Sequence, residues 1–527
     1  MSDDRINGLA ELLVGRGLRY AFGVAGSGDS MKLIVELGKL GATYHPVAHE
    51  ASGAIMAGAV ARVTGRPSVC ISIKGPGLVS MVPGVAFNQF ENSPALSVSE
   101  SFGPQVPGHR RHKRLDHPDI LRTLVKGVSG LKDDVSLAGQ LLDVAFAETP
   151  GPVHIELGGS VSGNYELRVL RPRRKDPHDS ESLERICNQI RRSARPAVIV
   201  GSLASRRNWG GRLAGLKVPV FNTAAAKGVV DERAEFSAGV FTGAGAELSP
   251  ESVVLPSADL VIGIGLRNTE VLKADSLPKL PKLKEGIALL DEVDDGLSDG
   301  FGGVLALAGE PGMSRVLDEL DGHVWGATDI SGALALLRSI LSDGWVPGTC
   351  FDVLNGLDWD HGLALDTGSF CTVGEHMWFA SAARPFWGSS NGRFMGASLP
   401  FAIGAAIARP GLPVFCVVGD GGVRPYFAEI GLAVDESLPV CFLLMSDGRY
   451  GSVVGTPGKG GHTERAVNIS RPSWWKSVQA MGCASAEIAS AADLRSALGA
   501  WDRSGPLFLE ARFEAQAYGA MTERIRS

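Results

Sequence analysis

Residues 413–453 read PVFCVVGDGGVRPYFAEIGLAVDESLPVCFLLMSDGRYGSV. Val414–Val418 is a continuous apolar run, as a strand buried on both faces requires. It stops abruptly at Gly419-Asp420-Gly421-Gly422. Tyr426–Val434 has helical periodicity, and a second apolar run, Val440–Met445, stops at Ser446-Asp447-Gly448. This is one βαβ unit, so its strands are expected to be parallel and adjacent. Asp420 and Asp447 then leave the sheet at the same C-terminal edge, where open α/β sheets bind ligands.

Two carboxylates at one edge repel unless a cation lies between them. Hard oxygen ligands in a glycine turn suit Mg²⁺ and, with it, a phosphate-bearing partner. Gly421 and Gly422 let backbone N–H groups approach phosphate oxygens closely. A lone Gly-Asp-Gly is also a common turn; the second acid at the next strand end is what raises it to a candidate site.

The same alternation of apolar runs and amphipathic stretches fills the chain and predicts an α/β fold with mostly parallel sheets. Expected strands are Arg19–Val24, Tyr44–Ala48, Ser68–Ile73, Ala95–Val98 and Val153–Glu156 in a first block. Pro196–Gly201, Val218–Asn222, Leu260–Gly265 and Ile287–Asp291 fall in a second, and Leu363–Asp366 joins the two runs above in a third. The Pro-containing basic segment Arg168–His178 reads as an exposed linker, and a second joint falls near Asp321–Asp329.

The 527 residues suffice for about three domains. With 51 Lys and Arg against 57 Asp and Glu, the net charge of −6 gives no basic field for nucleic acid. The seven cysteines stand singly, without a CxxC pair, so neither zinc site nor disulfide framework is indicated and reduced thiols are expected. The start, Met1-Ser-Asp-Asp-Arg5, lacks a signal-peptide pattern and no apolar stretch has membrane-spanning length. A cytoplasmic protein is the expectation.

The stretch from Gly419 resembles the thiamine diphosphate motif, which opens with Gly-Asp-Gly and closes with Asn roughly thirty residues later. The resemblance implies Mg²⁺ bound by Asp420, Asp447 and the carbonyl of Arg449, with Gly421, Gly422, Tyr450 and Gly451 about the cofactor. The sequence departs from the motif in having Ser446-Asp447 for the usual Asn-Asn. Asp keeps an oxygen ligand and adds a negative charge.

Near the N-terminus, His49-Glu50 precedes a helical stretch, Ala51–Gly65, with small residues at Gly53, Ala57, Gly58 and Ala61 that admit close backbone packing. On position alone, Glu50 could simply complement the helix dipole. Together with Phe22-Gly-Val-Ala-Gly-Ser27 and Gly75-Pro76-Gly77, however, this segment resembles the pyrimidine-binding domain of thiamine diphosphate-dependent enzymes of the acetohydroxyacid synthase, benzoylformate decarboxylase and pyruvate decarboxylase type. The resemblance covers essentially the whole chain. It implies three doubly wound domains: pyrimidine-binding (1–167), a degenerate Rossmann middle (181–325) and diphosphate-binding (345–527). In the family the Glu at this position hydrogen-bonds N1′ of the aminopyrimidine, which would make Glu50 the catalytic residue.

Because family members bind the cofactor between two subunits, a homodimer or homotetramer with interfacial sites is implied. Met395 matches the apolar residue under the cofactor, although Met also fills cores. Asp366–Ser369 and Gly374–Trp378 both resemble the diphosphate-binding turn, giving Ser369, Thr372 and His376 as phosphate contacts. In the middle block Lys227-Gly228 and Gly263-Ile-Gly265 give no FAD signature, since Gly-x-Gly alone is weak.

The densest basic run, His109–Arg114 (HRRHKR), would ordinarily be a solvated turn. It falls where relatives carry substrate-facing residues. His109, Arg110, Arg111 and Lys113 are therefore candidates to meet an anionic substrate group, for which Arg has fork geometry. Ser27 matches a substrate-contacting Ser. The function expected is a carboligase or decarboxylase of a 2-oxo acid, acetolactate synthase-like first, with simple decarboxylation as the close alternative. A dinucleotide-dependent oxidoreductase and a non-catalytic relative are readings of other classes.

Overall fold

The computed structural model describes residues 2–102, 106–131, 135–158, 173–174, 180–243, 246–267, 270, 286–290, 293–294, 303–306, 310–454 and 464–525. Its strands fall into three blocks. The first comprises β1 (Tyr20–Gly23), β2 (Thr43–Pro46), β3 (Val69–Ser72), β4 (Leu96–Ser99), β5 (Val128–Gly130) and β6 (Val153–Glu156). The second comprises β7 (Pro196–Val200), β8 (Val220–Thr223), β9 (Ser237–Phe241), β10 (Leu260–Ile264), β11 (Ile287–Leu290) and β12 (Gly303–Ala306). The third comprises β13 (Gly362–Leu365), β14 (Phe386–Gly388), β15 (Val414–Gly419), β16 (Val440–Ser446), β17 (Ala484–Ile488) and β18 (Leu507–Arg512).

Each block forms one six-stranded sheet. The first has the order β2-β1-β3-β4-β6-β5 and the third β14-β13-β15-β16-β18-β17, the same arrangement twice. The middle sheet, β9-β8-β7-β10-β11-β12, has the doubly wound order of a dinucleotide-binding fold. Neighbours in the third sheet are all parallel, with Val414 opposite Val440 and Gly419 opposite Met445. The α/β class and the parallel pairing of β15 with β16 follow the sequence reading.

Some expectations shift. The helix expected at Tyr426–Val434 is broken into α-helical Val423–Tyr426, a 3₁₀ turn at Phe427–Glu429, and α-helical Ile430–Asp435. Of the linker expected at Arg168–His178, Arg173–Arg174 pairs antiparallel with Val293–Asp294, and the remainder lies outside the described residues. Asp291, expected to end a strand, also lies outside them.

Helix α1 (Glu50–Thr64) is buried from Ala51 to Ala61. Helix α2 (Pro76–Phe90) crosses it closely: a Cβ on Gly84 would lie 2.3 Å from the Ala51 carbonyl oxygen, and one on Gly58 would lie 1.9 Å from Asn88 Oδ1. Two further helices belong to the third block, α3 (Ser369–Met377) and α4 (Ser398–Ala408). A Cβ on Gly404 of α4 would lie 2.8 Å from the Met56 carbonyl oxygen. The first and third blocks therefore share one apolar core, running from Ala54 and Val60 through Phe401 to Val414 and Phe442. Removing that shared surface from water is the main force joining the blocks. All seven cysteines are buried and unpaired. Among the described residues no helix is long and apolar enough to cross a membrane.

Candidate active site

Parallel register carries β15 and β16 to the same edge of the third sheet, and the two aspartates meet there. Asp420 is buried, and its Oδ2 accepts the backbone N–H groups of Asp447 (2.9 Å) and Gly448 (2.8 Å). Its Oδ1 accepts the Ser446 hydroxyl at 3.0 Å. Asp447 Oδ1 accepts the Arg449 N–H at 3.1 Å, closing a tight turn. Burial raises the Asp447 carboxyl to about 6; the Arg449 N–H opposes this and the nearby Asp420 charge adds to it. The turn is pinned from outside by Tyr450 N–H to the Val467 carbonyl and Ile469 N–H to the Gly448 carbonyl, both 2.8 Å.

The other cofactor candidates gather around this turn. A Cβ on Gly451 would lie 2.6 Å from Ser369 Oγ and 3.4 Å from Asp447 Oδ2. Ser369 Oγ is buried with no hydrogen-bond partner among the described residues and stands in the first turn of α3. An orphaned hydroxyl at a helix N-terminus is a ready donor for an anion. A Cβ on Gly421 would fall 2.5 Å from the Tyr450 ring and 3.1 Å from Met395 Sδ. These glycines leave a cradle that any side chain would fill.

Of the two turns resembling a diphosphate site, Asp366–Ser369 is the one at this edge. Thr372 is half-buried further along α3, and His376 lies roughly 10 Å beyond Ser369 at 1.5 Å per helical residue. Burial, then the Lys227 charge, lowers His376 to about 3. His376 thus faces the middle block, apart from the Asp420–Asp447 turn.

Three residues that the sequence reading assigned no role support the turn. Asp366, fully buried and raised by burial to about 7, accepts the Gly396 N–H on both oxygens (2.9 and 2.8 Å) and presses against Gly422. It thereby locks the Met395–Gly396 bend onto the Gly421–Gly422 bend. Arg393 bridges to Glu375 of α3 at 2.8 Å, fixing the same loop from the other side. Arg471 donates to the Ser446 hydroxyl (3.0 Å) and carbonyl (2.6 Å), bringing a positive charge to the place where the motif has exchanged Asn for Asp447.

Glu50 lies at the corresponding edge of the first sheet. His49 caps α1, accepting the Ala51 N–H on Nδ1 at 3.2 Å, and Glu50 is the first helical residue. Its Oε1 stands 3.4 Å from where a Cβ on Gly77 would project. The Gly75–Gly77 turn is itself held by a buried network. Gly75 N–H donates to His117 Nε2 (3.0 Å), and His117 Nδ1 meets Glu156 Oε1 (2.9 Å), which also meets His154 Nε2 (2.8 Å). Because His117 Nε2 accepts a backbone proton, the ring proton sits on Nδ1, so this cluster is a hydrogen-bond relay and lacks the free imidazole nitrogen a metal needs.

The substrate candidates share that edge. Lys113 turns over Gly75, its carbonyl oxygen 2.2 Å from where a Cβ would fall. His109 and Arg110 form an exposed 3₁₀ turn, and half-buried Arg111 donates to the Val106 carbonyl at 2.6 Å. Exposed Ser27 lies between Gly26 and Gly28, which pack on Glu100; Lys74, next to Gly75, binds that carboxylate at 2.8 Å. Lys74 was not among the sequence candidates, although it directly precedes Gly75-Pro76-Gly77.

In the middle sheet the turn after β7 is where a dinucleotide's pyrophosphate sits in folds of this order. Here the buried Glu270 carboxylate occupies it, accepting the N–H (2.9 Å) and hydroxyl of Ser202 and the Thr223 hydroxyl (3.3 Å). An internal carboxyl thus fills the place that the oxidoreductase reading needs.

Three family models match: the thiamine pyrophosphate enzyme N-terminal TPP binding domain over residues 6–113, the central domain over 183–313 and the C-terminal TPP binding domain over 366–511. Similar proteins include a probable 2-ketoarginine decarboxylase, AruI, of Pseudomonas aeruginosa, 24% identical across 84% of this chain and 82% of that protein. The chloroplastic acetolactate synthase of Arabidopsis thaliana is 25% identical across 95% of this chain and 80% of its own. The acetolactate synthase isozyme 2 large subunit of Escherichia coli is 24% identical across 83% and 82%. The chain belongs to the thiamine pyrophosphate enzyme family.

Proposed function

We propose that the protein is a thiamine diphosphate- and Mg²⁺-dependent enzyme acting on a 2-oxo acid, with acetolactate synthase-like carboligation as the first reading and simple decarboxylation as the close second. The observation that carries this is the meeting of Asp420, Asp447 and the orphaned Ser369 hydroxyl around a glycine cradle. That donor set, two carboxylates beside an anion-seeking hydroxyl and open backbone, fits a hard cation paired with a phosphate group.

When bound, thiamine diphosphate supplies the electron sink for making or breaking a bond beside a carbonyl. Asp420, Asp447 and the Arg449 carbonyl would hold Mg²⁺. Ser369 and the backbone of Gly421, Gly422 and Gly451 would meet the diphosphate, with Met395 and Tyr450 framing the ring system. Glu50 would exchange a proton with N1′ of the pyrimidine. Glu50 stands at the first sheet's edge and the metal set at the third's, so the family's arrangement would complete each site across a homodimer.

The 2-ketoarginine decarboxylase among the relatives is named for a 2-oxo acid, which supports the substrate class. The basic run beside Gly75 favours a substrate or acceptor carrying an extra anionic group. A guanidinium such as that of 2-ketoarginine would meet like charge there. The test is reconstitution with thiamine diphosphate and Mg²⁺, then screening of 2-oxo acids, anionic ones included, for CO₂ release and ligated product. Cofactor-dependent CO₂ release or ligation from at least one 2-oxo acid is expected; tight cofactor binding without turnover of any would favour the non-catalytic reading.

A further inference from the structure

The turn that delivers Glu50 is held by the third block. Between β2 and α1, the backbone N–H of Ala48 donates to both oxygens of Glu429 (3.1 and 3.3 Å), and that of His49 donates to its Oε1 at 3.1 Å. Glu429 is 1% exposed, and burial pushes its carboxyl upward. Its three backbone bonds end on the two residues before Glu50, and the Ser52 hydroxyl of α1 also faces it. The carboxylate reaches them because the helical segment leaving the Asp420 turn becomes 3₁₀ at Phe427–Glu429. A 3₁₀ turn rotates and rises further per residue than an α-helix, so it changes the direction in which the following side chains project. Here it re-aims Glu429 out of its own helix toward the first block. The reciprocal contact exists: Glu91, at the end of α2, accepts the N–H groups of Ser390 (3.1 Å), Asn391 (3.2 Å) and Gly392 (2.8 Å), just before Met395.

We propose that Glu429 is a positioning residue for Glu50, fixing the Ala48–His49 backbone so that the first carboxyl of α1 keeps its direction toward the cofactor ring. The proposal rests on the reading of Glu50 as the residue that meets the pyrimidine. A displacement of about 1 Å at such a group costs on the order of 10²-fold in rate. Loss of the Glu429 bonds would free the turn while leaving the metal and diphosphate residues in place.

The test compares wild type, Glu429→Ala, Glu429→Gln, Glu429→Asp and Glu50→Gln. Amide hydrogen exchange is read in the apoenzyme over residues 44–52, and exchange of the C2 proton of bound thiamine diphosphate is read in D₂O. Glu429→Ala should speed amide exchange in that segment roughly tenfold or more. It should also slow C2-proton exchange by about 10²-fold, with cofactor affinity changed only a few-fold. Gln keeps an acceptor at the same reach and should restore both. Asp keeps the charge, falls one methylene short and should not. A folded Glu429→Ala with both exchange rates at wild-type values overturns the proposal. If the Ala variant does not fold, an Asp variant equal to or better than Gln overturns it instead. Unchanged C2-proton exchange in Glu50→Gln would count against the Glu50 reading itself; slow exchange there beside normal exchange in Glu429→Ala would count against the clamp alone.

Discussion

Asp447 donates its backbone N–H to the Asp420 carboxylate across 2.9 Å, joining two residues 27 positions apart at adjacent strand ends. The contact sets the turn before any ion arrives. Asp420 is satisfied by two backbone N–H groups and a hydroxyl, so its orientation is fixed, and Asp447 is left crowded by burial and by a neighbouring negative charge. A divalent cation relieves that crowding. Asp447→Ala and Asp420→Ala should therefore abolish Mg²⁺-dependent binding of thiamine diphosphate, while Asp447→Asn, which restores the motif's usual residue, should keep it. Calorimetric titration of the purified variants checks the order.

Glu50→Gln should bind cofactor as wild type does and lose about 10²–10⁴-fold in turnover, the range for removing a positioned acid–base group. Substantial residual turnover, measured with the cofactor site saturated, would count against its assigned role.

Arg471 braces Ser446, which in turn donates to Asp420. Such outer partners of a metal site typically contribute 10–100-fold in affinity. Arg471→Met is expected to weaken cofactor binding by about that factor, with the largest effect at limiting Mg²⁺. Equal affinity across a Mg²⁺ series would show that Arg471 only holds the local loop.

Most apolar runs were legible because strands of a parallel sheet are buried on both faces, although the inner strand Leu507–Arg512, interrupted by Glu510, was not. The runs expected at Val153–Glu156 and Val414–Val418 start at the strands' own first residues. The edge strands Val128–Gly130, Phe386–Gly388 and Ala484–Ile488 were not legible. They are short or half polar, and an edge needs no continuous apolar run. Asp420 and Asp447 could be read because each directly ends a run. Arg471, Asp366 and Glu429 could not be given roles, because their partners come from distant segments and a single sequence carries no periodic trace of such contacts.

Arg110 and Arg111 lie in the turn that leads to Lys113, whose carbonyl packs on Gly75. Replacing each by Ala should raise KM for an anionic 2-oxo acid by roughly tenfold, as for loss of one charge-assisted hydrogen bond, and leave KM for an uncharged analogue nearly unchanged. An identical KM for both substrates in both variants would remove the anionic-substrate reading.

Glu156 supplies a pH test on stability. Burial opposes its ionisation, but hydrogen bonds from His117 and His154 prevail and hold it at about 2, against 4.5 for the free side chain. A depressed carboxyl stabilises the fold above its unfolded value, and that contribution is lost as pH falls from about 4.5 toward 2. The loss should be on the order of 3 kcal/mol. Urea midpoints of wild type should drop across that window, and those of Glu156→Gln should vary less with pH. Parallel profiles would contradict the relay.

The most direct measurement is a calorimetric titration of the apoprotein with thiamine diphosphate, run with Mg²⁺ and again with a chelator. Saturable binding with Mg²⁺ that disappears on chelation and in Asp420→Ala is expected. Binding indifferent to Mg²⁺, or retained in Asp420→Ala, would contradict the proposed function.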